Sequence, residues 1–340
     1  VDTWLIGKTH MKVDSEGLER LGIKQDSIIG ARLAECGFDI FVRDDGLWAE
    51  GPEGFYCELD SPYNEYLKSK GYSGSNPWST HANAGITDND DIASGWFMKN
   101  SRLPANIREE DSETPWLTTQ MIHFLESEIA KKLSDRRPWM VHLSYIKPHW
   151  PYIVPAPYNA MYNKNDIIHV VRSESEIGQG SNPIYKSFTD NIIGRAFRQN
   201  KVREEVIPAY MGLIKQCDDQ MGRLFKFMED NGFMENTLIV ICSDHGDYLG
   251  DHWLGEKDLF HEPSVKTPLI IFDPSKSSNN TRGTINNELV EAIDLAATFI
   301  DYQNEDVPDH ILEGRSLMPF LLNKAKGDWR KYVVSEYEYS

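Results

Sequence analysis

An α/β fold with a mostly parallel central sheet, covered by helices on both faces, is predicted by two features of the sequence. Four short, nearly continuous apolar runs read as strands buried on both sides. Between them lie segments in which apolar residues return every three to four positions, the helical repeat. Strand, helix, strand in that order favours parallel pairing through crossover helices.

Taken in order, the first strand is the run Trp4–Lys8 (WLIGK). From Asp44 to Asp111 the rhythm breaks: Gly, Pro, Ser, Asn and Asp dominate, with GSNPWST and TDNDD typical of irregular connections, so this region reads as an insertion. Thr114 and Pro115 then look like an N-cap and a first helical turn, followed by Leu117, Met121, Leu125, Ile129 and Leu133 at four-residue spacing. The run Trp139–Ile146 (WMVHLSYI) is the next strand. A second helix spans Ile207–Asp230 with the stripe Met211, Ile214, Cys217, Met221 and Leu224. The runs Thr237–Cys242 (TLIVIC) and Pro268–Asp273 (PLIIFD) are two more strands, and Leu289, Ile293, Ala296 and Ile300 mark a third helix. At the tail, KYVVSEYEYS opens a further strand.

Composition narrows the function. With 340 residues, 40% of them hydrophobic, the chain can bury one large core or two modest ones, which excludes disorder. A formal charge of -18 excludes a general nucleic-acid binder, because phosphate backbones need a positive surface. There is no apolar stretch of membrane-spanning length, and Val1–Met11 lacks a signal-peptide pattern, so the expectation is a soluble segment with no membrane partner, the cytoplasm slightly favoured. Cys36, Cys57, Cys217 and Cys242 are too few and too scattered for a disulfide framework. The sequon at Asn279 stands alone and reads as chance.

The chemistry concentrates where strands end. SDHGDYLGDHWLGEKDLFHE follows the third apolar run, and ligands of α/β sheets gather beyond the carboxyl ends of strands. Asp244 and His245 can face one ion if Gly246 lets the backbone bend, and an oxygen and an imidazole suit Mn²⁺, Fe²⁺ or Zn²⁺ better than Ca²⁺. The same two residues read equally well as a turn cap beside a surface histidine. Lys8 and His10 lie two apart just past the first strand, on one side of an extended segment. His149 follows the WMVHLSYI strand, between Pro148 and Pro151. By itself each is commonplace; three strand ends with cationic or ligating residues, and Lys257 after LGE, make a cluster.

These residues resemble a known family. SDHGDYLGDH with GEKDLFHE and KTPLIIFDP downstream, together with GKTH and KPHWPY in that order, is similar to the sulfatases and phosphonate monoester hydrolases of the alkaline phosphatase superfamily, over most of the chain from Leu5 to about Leu322. The resemblance implies an alkaline phosphatase-like fold and a divalent metal on Asp244 and His245, with Mn²⁺ first and Zn²⁺, Mg²⁺ or Ca²⁺ behind it. It also implies that Lys8 and His10 hold nucleophile and substrate, and that His149 and Lys257 meet the oxygens of an anionic small-molecule ester. Asp247, Asp251, His252 and His261 rank below these as structural.

Two departures qualify the resemblance. The family's nucleophile motif, Cys or Ser followed by x-Pro/Ala-x-Arg, is not in this sequence: Cys36 precedes GFDI and Cys57 precedes ELDS. The expectation is a truncated chain, with an alkaline phosphatase-like core over 1–322 lacking its N-terminal strands, an insertion about 44–111, and 323–340 beginning a smaller subdomain. An unpaired sheet edge would then favour homo-oligomers. Second, His245 stands where many sulfatases have Asn, which favours phosphonate and phosphodiester hydrolysis, whereas Lys8-x-His10 is the sulfatase-like version. Sulfate-ester hydrolysis by the parent protein is the first reading, with this segment inactive by itself; phosphonate monoester hydrolysis is the second, and WSTHANAG would help form the leaving-group pocket. A catalytically silent binding module is the reading from another class, opposed by the retained cationic cluster, which is costly without an anion to balance it.

Overall fold

The structure, a computed structural model, describes residues 1–9, 15–24, 27, 37–46, 61–132, 136–178, 180–324 and 327–336. The chain forms two compact units, Val1–Val170 with Ala196–Phe227, and Val171–Arg195 with Met228–Ser340.

The first unit is built on a parallel sheet in which β1 (Asp2–Gly7) lies between β2 (Asp39–Arg43) and β5 (Trp139–Ser144). Leu5 and Ile6 are consecutive on β1 and therefore point to opposite faces, yet both are fully buried. The central strand is covered on both sides, which is why its sequence is a continuous apolar run and not an alternating one. Ahead of β2 lies α1 (Ser15–Arg20), and after it α2 (Pro62–Ser69), which Ser61 caps by accepting from Asn64 N at 3.1 Å. β3 (Ala84–Ile86) and β4 (Ile92–Ser94) form an antiparallel hairpin inside the region expected to be irregular.

Helix α3 (Glu113–Ala130) crosses back over the sheet. Its N-cap is Ser112, not Thr114, and Leu117, Met121, Phe124 and Leu125 form its buried face. Phe124 meets Trp4 of β1, Phe41 of β2 and Trp139 of β5 at ring distances of 5.9, 5.7 and 5.6 Å, so one side chain ties the helix to all three strands. Ile129 of the expected stripe is largely exposed, and Leu133 lies outside the described residues.

Next along the chain come α4 (Pro183–Thr189), α5 (Ile192–Phe197) and the long α6 (Asn200–Asp230), which begins seven residues before the expected start, counting from Ile207 back to Asn200. The buried stripe of α6 in the first unit is Leu213, Gln216, Cys217, Gln220 and Leu224; Ile214, expected inside, is exposed. The physical reason is polar: Gln216 donates to Ser112 Oγ at 2.8 Å and Gln220 to Glu109 Oε1 at 3.4 Å, so two glutamines occupy the inward face that apolar periodicity assigned to Ile214.

In the second unit β6 (Ile239–Cys242) pairs with β7 (Leu269–Phe272) antiparallel, in the register Ile239↔Phe272 to Cys242↔Leu269. The apolar runs were expected to join a mostly parallel sheet; this pair departs from it, because an apolar run carries no direction. The intervening chain holds α7 (Glu262–Val265), and Phe188, Tyr248 and Leu254 pack there with Tyr185 and Leu259. Helix α8 (Ile293–Tyr302) buries Asp294, Ala297 and Thr298, while Leu289 and Ile293 of the expected stripe are exposed. Asp294 accepts from Arg315 N and Glu291 N, both at 2.8 Å, and pairs with Arg330. After α9 (Met318–Leu321), residues 327–336 contain no strand; Val333 and Val334 are exposed, and Trp329 packs on Phe320. No described helix is long and apolar enough to cross a membrane.

Candidate functional site

In the first unit the carboxyl ends of three parallel strands carry the polar residues. Gly7 closes β1 at φ +97°, and a Cβ there would lie 2.1 Å from Ser144 O of β5, so only glycine lets the strand ends converge. Lys8 follows immediately, its N–H donating to Ser144 O at 3.3 Å. From the other side, Asp44 N donates to Gly7 O at 3.1 Å and Thr9 N to Asp45 Oδ1 at 2.9 Å, while Arg43 pairs with the other Asp45 oxygen. Lys8 is thus held between two anchored residues. His10 lies outside the described residues.

His149 follows β5 by a tight turn in which its N–H donates to Ile146 O at 3.1 Å. Its Nδ1 donates to Trp150 O at 2.7 Å. A carbonyl only accepts, so the hydrogen sits on Nδ1 and the same contact supports the imidazolium form.

Beneath these strand ends lies a buried ionic network that the sequence reading did not single out. Lys147 Nζ donates to Asn83 Oδ1 at 2.7 Å and Pro151 O at 2.8 Å, and burial pulls its ammonium down to about 8 against the attraction of Glu113. Glu113 accepts from Trp78 Nε1 at 2.9 Å. Asp44 sits beside it, held well above the usual carboxylate range by burial and by Glu113's charge. WSTHANAG, expected at the leaving-group pocket, forms a π-helical turn over Trp78–Ala82 that supplies Trp78 and, after it, Asn83 to this network. Lys147 was visible in YIKPHW: a lysine closing an apolar strand is unusual unless it has partners.

In the second unit the turn after β6 carries Asp244 and His245. Asp244 Oδ1 accepts from His245 N at 3.0 Å, and its carboxylate is 70% exposed. His245 Nδ1 donates to Gly246 O at 2.8 Å, which leaves the lone pair on Nε2, 3.6 Å from Asp244 Oδ2. That is the tautomer a metal-ligating histidine needs, with a backbone carbonyl as its outer partner. Gly246 is required by space and not by a left-handed bend: a Cβ would stand 2.0 Å from Pro263 O. Ser264 joins the segment, its O accepting from Gly246 N at 2.7 Å and its Oγ donating to Lys257 O. Asp258, raised by burial, feels both Lys257 and His245, so the turn and the Lys257 loop share one electrostatic neighbourhood.

The remaining acidic and imidazole residues of this stretch are engaged in the fold. Asp247 caps Leu249 N at 3.0 Å, and Asp251 accepts from Val171 N at 2.9 Å. His252 meets Glu176 at 2.7 Å and stacks on His261, whose Nδ1 lies 3.0 Å from Tyr248 Oη. Among the described residues no group of three or more His, Cys, Asp or Glu gathers at one point to hold a metal. A cleft of about 660 Å³ in the first unit, lined by Tyr66, Lys70, Arg108, His123 and Arg223 among others, includes none of the expected site residues.

Comparison with known proteins decides the family. The Sulfatase family model matches residues 64–304, well over half of the chain. The chain belongs to the sulfatase family. It is 31% identical over 248 residues to the multifunctional alkaline phosphatase superfamily protein PehA of Trinickia caryophylli, covering 69% of this chain and 46% of that protein. It is 26% identical to an arylsulfatase of Clostridium perfringens, covering 89% of this chain and 60% of the relative. Among solved structures, the phosphonate monoester hydrolase SpPMH from Silicibacter pomeroyi superposes with a TM-score of 0.73 at 25% identity, over 97% of this chain and 61% of that one. The fold is therefore alkaline phosphatase-like, as the motifs implied, and the chain spans about half to three-fifths of the length of these relatives.

Proposed function

We propose that the protein is a metal-dependent hydrolase of sulfate esters. The observation that carries this reading is the Asp244–His245 turn, where a backbone carbonyl fixes the imidazole so that Nε2 and an exposed carboxylate present an N,O pair to a divalent cation. Family membership supports the same reading. The donor set fits a borderline-hard ion, Mn²⁺ first, and such an ion supplies positive charge to the anionic oxygens of an ester.

The chain's own residues take defined parts. Lys8 and Lys257 attract nonbridging oxygens, and His149, its Nδ1 on a carbonyl, gives a proton to the leaving oxygen. His10 is assigned, with Lys8, to hold the nucleophile and the substrate. Neither structurally described cysteine has the cationic, accessible setting of a reactive thiolate: the Cys217 thiol is pushed up to about 12 by burial, and Cys242 is raised as well. We therefore assign the nucleophile to neither.

A second reading, hydrolysis of phosphonate monoesters, is favoured by His245 in place of Asn and by the likeness to SpPMH. The experiment is hydrolysis, by the natural full-length protein with Mn²⁺, of an aryl sulfate and an aryl phosphonate monoester sharing one leaving group. Faster release from the sulfate is expected. Faster release from the phosphonate selects the second reading, and release from neither overturns both.

A further inference from the structure

We propose that Asp44 and Glu113 share a single proton and, balanced by Lys147, act as positioning residues that hold the Lys8 strand end in place. Asp44 is 2% and Glu113 3% exposed. Among the described residues Asp44 Oδ2 and Glu113 Oε2 each lack a donor, and each carboxyl acts directly on the other. Ionised carboxylates only accept, so two neighbouring buried carboxyls with undonated oxygens repel unless one of them carries a hydrogen.

Among the described residues, the surroundings favour one negative charge over two. From α3, Glu113 brings its own charge and accepts from Trp78 of the π-helical turn. Lys147, beyond β5, and Lys8, beyond β1, both act on Glu113. From the end of β2, Asp45 repels Asp44 while the Gly46 backbone donates to it. The Tyr63 phenol of α2 is driven up by burial and then by the charges of Glu113 and Asp44, and Cys217 of α6 acts on Lys147. Among the described residues Lys147 is the fully buried ammonium at the pair, Lys8 is only half-buried at its strand end, and Asp45 is already paired with Arg43. A second ionised carboxyl would stand unmatched in a low-dielectric pocket.

The geometry connects the pair to Lys8. Asp44 N anchors Gly7 O, the residue before Lys8, and Asp45 anchors Thr9 N, the residue after it. Expulsion of the shared proton would push Asp44 away from Glu113 and loosen both anchors. The positioning role rests on the ester-hydrolase reading; the shared proton does not.

Asp44→Asn places an N–H donor where the proton sits. A carboxyl raised above its unfolded value contributes stability that is complete below the ordinary carboxylate range and is lost as pH rises through the folded value. Relative to wild type, the folded-to-unfolded ratio of the Asn variant should therefore grow by up to about tenfold per pH unit above about pH 4, until the folded pair itself ionises. The assay is urea unfolding of both proteins at stepped pH. A variant-to-wild-type ratio that stays flat from about pH 5 to about pH 8 overturns the proposal. The second measurement is infrared: wild type at neutral pH should show the C=O stretch of a buried protonated carboxyl, absent from both Asp44→Asn and Glu113→Gln. If either variant does not fold, the wild-type band decides alone, its presence upholding and its absence overturning the shared proton. A protein that cleaves no sulfate or phosphonate ester but shows band and slope would refute the proposed function and leave this inference standing.

Discussion

Replacing Gly7 by alanine probes the strand end on which Lys8 depends. The new Cβ would lie 2.1 Å from Ser144 O and 3.1 Å from Ser144 C, both backbone atoms that no rotamer change can move. Either β1 and β5 separate at this point or Gly7 abandons its φ of +97°. The left-handed backbone costs a non-glycine residue about 1–2 kcal/mol, and overpacking a close contact costs about 1–3 kcal/mol. Two anchors, Lys8 N to Ser144 O and Asp44 N to Gly7 O, are strained in addition, at about 0.5–1.5 kcal/mol each if lost. A destabilisation of about 3–5 kcal/mol is expected, a large part of the 5–15 kcal/mol, roughly, that holds a domain together. Urea unfolding measures it, with Gly222→Ala as the control. Gly222 lies in α6 with nothing within 4 Å of its Cβ position, so that change should stabilise by about 0.4–1 kcal/mol. A loss below about 1 kcal/mol for Gly7→Ala would refute the reasoning, because it would mean that the strand ends part freely.

Other consequences are separately measurable. Lys147 falls from its unfolded value of roughly 10.4 to about 8 on folding, so the unfolded chain binds more protons between those limits; wild type should gain up to about 1.4 kcal/mol per pH unit on Lys147→Met from about pH 8 to about pH 10, and a constant difference would contradict the burial of a charged amine. Trp78→Phe strips Glu113 Oε1 of its indole donor and should cost about 1–3 kcal/mol in thermal or urea unfolding; a neutral result would place that oxygen in solvent. Asp244→Ala and His245→Ala should each weaken Mn²⁺ binding more than about 10-fold by calorimetry, and full retention in both would remove the assigned ligands.

Much of the sheet was legible because a strand covered on both faces must be apolar throughout: Leu5 and Ile6 announce β1 without any partner being known. Direction was not legible, and β6 and β7 turned out antiparallel. β2 was passed over because DIFVR is short and charged at both ends. On α6, periodicity was read from apolar residues alone, and it assigned Ile214 to a face that Gln216 and Gln220 hold by hydrogen bonds to Glu109 and Ser112. In the candidate site, residues at the ends of apolar runs stood out as chemically loaded: Lys8, His149, Asp244, His245. The Asp44–Glu113–Lys147 network could not be seen in the same way. Its members come from a strand end, a helix start and a loop, and charged residues are ordinarily read as solvated until their burial is known.

In the proposed reaction an anionic ester is cleaved with His149 giving a proton to the leaving oxygen. The most direct test is kcat/KM for a series of aryl sulfates of graded leaving-group basicity, measured for the natural full-length protein and for His149→Ala. Expected is a loss of about 100-fold or more on the most basic leaving groups that shrinks toward nothing as the leaving group becomes a better anion. A loss equal across the series, or a wild-type protein that turns over none of them, would contradict it.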